Sequence, residues 1–273
     1  MKTTIRFILI TLLTAVIFIS GYELWKMSER YVQEAKVKNS VEKYSPATTM
    51  EAMKYNLEQE AKTETEITKI AEINQFIIDL QNKVNSDILG WITIPNTQID
   101  YPFVISKDNN DYLRRDLYGN YALAGTVFMD YRCSEDFDDF NTIIYGHNMN
   151  NGSMFGELVL FGEKEFFNAN RTGMIYLKNK TYALDIFAYM VVKADDTVIY
   201  SNITENHNDF FDYVKKYARN YREPAGRNSV LAESEKNIES TEIEEVTNIV
   251  TLSTCSYQFN GARIVLLAAI NPR

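Results

Sequence analysis

The chain changes character at Leu89, and that break constrains its fold more than any other feature. Between Gly21 and Gly90 there is no glycine and a single proline, Pro46, while Lys, Glu, Gln and Ala are frequent. That is helix-forming composition. Beyond Leu89 come short β-branched and aromatic runs at 91–95, 99–105, 125–130, 141–145, 173–177, 182–192, 248–252 and 263–269, parted by Gly, Asn and Asp. Such runs predict a mostly β domain, a largely antiparallel barrel or sandwich. A helix interrupts them, because Phe210, Phe211, Val214, Tyr217, Ala218 and Tyr221 recur at three-four spacing. Ahead of the strands, Ile70, Ile73, Ile77, Leu80 and Val84 share one helix face and predict a leading helix packed on the β domain. Residues 233–245 hold six glutamates against one lysine and read as a solvated loop.

Lys2 and Arg6 precede residues 7–22, a run without charge. A bilayer core takes about 20 apolar residues, and Tyr22, Leu24 and Trp25 extend the run into the far interface. No small-x-small cleavage pattern precedes Glu23, so an uncleaved anchor over 1–25 is preferred to a secretory signal peptide. Positive charge on the short side predicts a cytoplasmic N-terminus with the rest of the chain outside. Residues 26–44 lack a clear apolar stripe and read as a solvated stalk ended by Ser45-Pro46. The expected organisation is anchor 1–25, helical stalk and linker 26–68, and a folded domain with its leading helix at 69–273. A formal charge of −9 leaves no basic footprint for nucleic acid.

With two cysteines and two histidines at unrelated spacings, a zinc site is not indicated. Cys255 closes the apolar run Thr251-Leu252-Ser253-Thr254, and Arg263 opens the next apolar run. A turn centred near Phe259 places the two opposite each other on paired strands, or on a near diagonal. A reactive thiol needs a proton-transfer partner, and histidine suits that near neutral pH. His147 follows strand 141–145 at Gly146, where a polar loop begins, whereas His207 stands at a helix start, where a polar residue is ordinary. His147 is therefore the expected partner. Cys133 has no comparable setting and reads as structural.

Taken together, TLSTC at a strand end, an Arg eight residues later and a strand-Gly-His-Asn block upstream resemble the sortases, cysteine transpeptidases on the outer face of Gram-positive bacteria. The resemblance covers about residues 89–270 and points to class B. It implies a closed eight-stranded β-barrel with N-terminal helices and a helix inserted between strands 6 and 7. It implies Cys255 as nucleophile, His147 as acid/base and Arg263 as oxyanion and substrate clamp. Residues 108–113 are similar to the family's early loop, so Asn109 and Leu113 are expected substrate contacts, joined by Ser253, Thr254 and Tyr257 around the thiol. The implied partners are the sorting-signal peptide of a secreted surface protein and an amine, from a peptidoglycan cross-bridge or a pilin lysine. The implied location is the cell membrane, single-pass, with the catalytic domain extracellular. No cofactor or metal is implied, and Glu135, Asp136, Asp138 and Asp139 read as a solvated turn, not a calcium loop. Two other readings stay open on the residues alone: a secreted cysteine hydrolase using water as acceptor, and a non-catalytic membrane-anchored assembly or adhesion protein.

Overall fold

The computed structural model describes residues 2–47, 74–201, 207–225, 248–256 and 260–272, and of Cys255 the backbone. The chain opens with one continuous helix, α1 (Lys2–Val41), closed by a 3-10 turn at Glu42–Tyr44. Then follow α2 (Gln75–Lys83), β1 (Ile88–Thr93), β2 (Asp100–Val104), β3 (Phe128–Met129), β4 (Asn141–Tyr145), α3 (Lys164–Ala169), β5 (Thr172–Leu177) and β6 (Thr181–Lys193). After these come α4 (His207–Tyr217), β7 (Asn220–Tyr221), β8 (Ile249–Cys255) and β9 (Ala262–Pro272). The strands run β5-β1-β2-β3-β4-β8-β9-β6-β7, and a β5–β6 pairing closes the sheet on itself. Eight strands thus form a barrel, and the two-residue β7 hangs on β6 outside the ring. Pairings are antiparallel except β2 with β3 and β4 with β8. The expected barrel is present, and α4 lies between its sixth and seventh strands.

Burial explains the sequence texture of β9, the run Ile264-Val265-Leu266-Leu267-Ala268-Ala269-Ile270. Ile264, Leu266, Ala268 and Ile270 fill the barrel interior. Val265, Leu267 and Ala269 face outward, under Phe210, Phe211 and Val214 of α4. A strand covered on both sides loses the polar-apolar alternation of a half-exposed one. At the barrel's base, Phe76, Ile77 and Leu80 of α2 pack on Trp91, Val104 and Tyr112. Ile70 and Ile73 of the expected stripe lie outside the described residues, as does the acidic stretch 233–245.

The stalk expectation needs correcting. Residues 4–29 of α1 are exposed and supply the one described helix long and apolar enough to cross a membrane. The next three turns of the same helix dock on the barrel instead of standing in solvent. Tyr31 packs on the interior cluster, and Val41 is buried beside Phe76 and Leu80. Polar side chains do the rest. Gln33 donates to the Tyr121 carbonyl (2.9 Å), Lys38 to the Gln98 carbonyl (3.1 Å), and the Ser40 and Tyr118 hydroxyls meet at 2.7 Å. The contact face mixes Tyr31, Val37, Val41 and Tyr44 with Gln33, Glu34 and Lys38, and the polar members break up its apolar stripe in the sequence.

Candidate active site

Two strand registers assemble the site. β4 and β8 run parallel, and their last pair is Tyr145 with Ser253. Gly146 carries the ladder one step further, its N–H donating to the Ser253 carbonyl at 3.1 Å. Both chains therefore leave the barrel at the same end, and the register brings His147 level with Cys255. β8 and β9 run antiparallel, and their last pair is Cys255 with Arg263, the pairing expected from the turn. Residues 108 apart in sequence are thus brought to the same end because one of the two parallel joints lies beneath them.

Tight packing fixes the step from β4 to His147. A Cβ on Gly146 would stand 2.6 Å from Cγ of Phe155, so any side chain there would push the loop off the barrel. Nε2 of His147 lies 2.9 Å from the carbonyl of Leu113. A carbonyl only accepts, so Nε2 carries the hydrogen and Nδ1 keeps the lone pair of the neutral ring. Leu113 belongs to a 3-10 turn, Asp111–Arg114, and that turn is held close by Gly125, whose φ is +59° and whose hypothetical Cβ would lie 2.7 Å from the Leu113 oxygen. Burial pushes the His147 pKa below the ordinary imidazole value; the Leu113 carbonyl opposes this, and the charges of Arg114 and Arg30 add to it. The shift favours the neutral imidazole, the form that can take up a proton.

A groove of about 410 Å³ opens over this end of the barrel. Of the residues singled out in the sequence, Asn109, Leu113, His147, Ser253, Thr254 and Arg263 line it. Tyr257 lies outside the described residues. Arg263 forms no ion pair among the described residues; its Nη1 donates to the carbonyl of Ala262 at 3.1 Å. The Asn109 side-chain oxygen accepts from the Tyr131 amide at 3.1 Å, tying the early loop to the groove wall. Thr254 is 3 % exposed, and its hydroxyl is buried without a hydrogen-bond partner among the described residues.

The sequence reading missed one wall, formed by Arg132, Tyr145 and Tyr200. Beneath it Asp130, fully buried, takes two hydrogen bonds from the Arg132 guanidinium (2.9 and 2.8 Å) and one from the Tyr145 hydroxyl (2.9 Å). Burial raises the Asp130 pKa, but the bonds from Arg132 and Tyr145 outweigh it and hold the carboxyl below its usual range. The Tyr200 hydroxyl meets Ser253 Oγ at 2.8 Å, and its ring stacks on Tyr145. Tyr145 adjoins Gly146-His147, which was a usable signal; Arg132 and Tyr200 carry none that sequence alone displays.

The other histidine and cysteine go elsewhere. His207 stacks on Phe140 at 4.0 Å between ring centroids, beyond the opposite end of β4. Cys133 is 5 % exposed, its Sγ lies 3.4 Å from the Ile143 amide, and burial pushes its thiol up to about 12. Glu135, Asp136, Asp138 and Asp139 occupy a turn in which Asp139 accepts from the Ser134 amide at 2.6 Å.

Comparison with known proteins places the chain in a family. Residues 92–271 match the sortase domain family. Sortase B of Listeria monocytogenes is 36 % identical over 197 residues, covering 71 % of this chain and 74 % of that protein. Sortase B of Staphylococcus aureus is 27 % identical over 261 residues, 95 % of this chain and 93 % of that one. Among solved structures, a Streptococcus pyogenes class B sortase involved in pilus biogenesis superposes with a TM-score of 0.59 at 32 % identity, covering 71 % of this chain and 97 % of its own. The crystal structure of Staphylococcus aureus sortase B gives 0.66 at 25 % identity, with 88 % and 99 % covered. With the family match spanning the barrel from β1 to β9, the chain belongs to the sortase family, as a cysteine transpeptidase of class B.

Proposed function

We propose that this chain is a membrane-anchored transpeptidase in which Cys255, His147 and Arg263 carry the chemistry. The observation behind this is the pair of registers that brings Cys255 level with His147 and opposite Arg263 at the mouth of one groove. An extended sorting peptide lies in the groove, touching Asn109, Leu113, Ser253, Thr254 and Tyr257. The Cys255 sulfur attacks the scissile Thr carbonyl, and the C–N bond breaks as a thioester forms. Arg263 donates hydrogen bonds to the oxygen that becomes negative. Neutral His147 takes the thiol proton as the sulfur attacks and gives it to the departing amine; it then takes a proton from the incoming amine as that amine attacks the thioester, and returns it to the Cys255 sulfur as the thiol is restored. The acceptor amine belongs to a peptidoglycan cross-bridge or a pilin lysine. The anchor over residues 1–25, whose helix begins at Lys2, holds the enzyme in the cell membrane, with Lys2 and Arg6 cytoplasmic and the barrel outside.

The test is to incubate the protein with Asn-Pro-x-Thr and Leu/Ser/Pro-Pro-x-Thr peptides, with and without a short amine such as triglycine, and weigh the products. Amide-linked product in the presence of amine is the expected result. Only hydrolysed peptide at every amine concentration points to a hydrolase, and an unmodified panel to a non-catalytic role.

A further inference from the structure

The segment of α1 that docks on the barrel touches both loops flanking His147, and it does so through a buried polar chain. Tyr101 of β2 is 4 % exposed, Glu34 of α1 7 % and Met154 6 %. The Tyr101 hydroxyl donates to the Glu34 carboxyl at 3.2 Å, and its oxygen accepts from Lys38 Nζ at 3.2 Å and from the Met154 amide at 3.0 Å. Met154 has φ +54°, a left-handed conformation that a methionine keeps only when its surroundings impose it. It closes the loop that begins at His147: Asn148 and Met154 form a β-bridge, and the Phe155 amide donates to the His147 carbonyl at 3.0 Å. On the other side, Gln33 holds the Tyr121 carbonyl, in the loop that returns from Leu113, the residue whose carbonyl binds the imidazole.

We propose that Glu34, Tyr101 and Met154 form a positioning relay, by which the helix that leaves the anchor fixes the loop carrying His147. Glu34 orients the Tyr101 hydroxyl, the hydroxyl pins the Met154 amide, and the strained turn at Met154 sets where the chain leaves His147. None of the three touches the substrate. The relay rests on the reading of His147 as acid/base. It makes the docked helix a part of the catalytic support and not a passive tether.

The test measures kcat and KM for peptide transfer in the full chain, alongside thermal melts, for Tyr101→Phe, Glu34→Ala, Glu34→Gln, Ser40→Ala and His147→Ala. Tyr101→Phe and Glu34→Ala are expected to lower kcat about tenfold with KM within about twofold, a fraction of the ~100-fold that a 1 Å misplacement costs. Glu34→Gln keeps an acceptor for the Tyr101 hydroxyl and is expected to restore kcat. Ser40→Ala removes a docking bond of the same helix, to Tyr118, that does not reach the His147 loop, and is expected to turn over like the parent. Parent-like kcat in Tyr101→Phe and Glu34→Ala, with His147→Ala inactive, overturns the relay while leaving His147 in its role. Equal losses in Ser40→Ala overturn it too, since they would reflect docking in general. An active His147→Ala enzyme removes the reading on which the relay rests.

Discussion

The two histidines of the chain lie by opposite ends of β4, and the protein treats them differently. At its start, His207 from α4 stacks on Phe140, and Asn141 fastens the strand with neutral bonds: its amide donates to the Ile199 and Ser201 carbonyls and accepts from the Thr251 hydroxyl. At its finish, His147 emerges beside a groove walled by Arg132, Tyr145 and Arg263 over a buried aspartate. In the proposed reading the same residue type is a packing surface at one end and a proton-transfer group at the other. What differs is the neighbour across the parallel joint, since only the C-terminal end of β4 meets the C-terminal end of β8. Strand direction, more than local sequence, decides which histidine can act.

Substituting each histidine in turn breaks the comparison most strongly. His147→Ala should cost about 10²–10⁴ in peptide transfer, the usual contribution of general acid/base catalysis, whereas His207→Ala should stay within a few-fold of the parent. Equal losses, with normal melts, would erase the distinction between the two ends. Arg263 comes next. Arg263→Ala and Arg263→Lys should both reduce single-turnover acylation by about 10²–10³, because an ammonium cannot present the planar fork to a developing oxyanion. Rescue by lysine would mean instead that the charge chiefly stabilises the Cys255 thiolate.

Stability offers a subtler contrast. Asp130→Asn should cost about 2 kcal/mol, the loss of a buried carboxylate's charged hydrogen bonds, read by denaturant unfolding at pH 7. Because the folded pKa of Asp130 is depressed, its stabilisation is fully present above the unfolded carboxyl value of about 3.9 and is lost as pH falls through the folded value. The parent should therefore lose this contribution below about pH 4 and the Asn variant should not, while Asn141, uncharged, adds no such slope at the other end. The smallest effect concerns Arg30. Arg30→Gln removes a positive charge acting on His147 and should raise its pKa slightly, followed by imidazole proton NMR in a His207→Ala background.

Much of this was legible in the sequence. Asn141–Tyr145 matches the expected strand because a β-branched run ends at Gly146. The Cys255–Arg263 pairing follows from turn symmetry alone. Local patterns stop there: β2–β3 and β4–β8 join strands far apart in sequence, so nothing nearby announces that they are parallel. The expected strand at 125–130 shortens to Phe128–Met129, and β7, with two residues, is too short to leave a pattern. The docked end of α1 escaped notice because Gln33, Glu34 and Lys38 interleave with Tyr31, Val37 and Val41 on its contact face, and such charged and polar residues at a helix surface read as solvated.

The central claim is that the end of β4 carrying His147 serves a nucleophile at Cys255. Trapping the acyl-enzyme tests it most directly: the protein is mixed with sorting peptide without amine, quenched in acid, digested and weighed. The account expects a thioester adduct on the Cys255 fragment, absent in Cys255→Ala and strongly slowed in His147→Ala, with the Cys133 fragment unmodified throughout. An adduct on Cys133, or transfer surviving in Cys255→Ala, would contradict it.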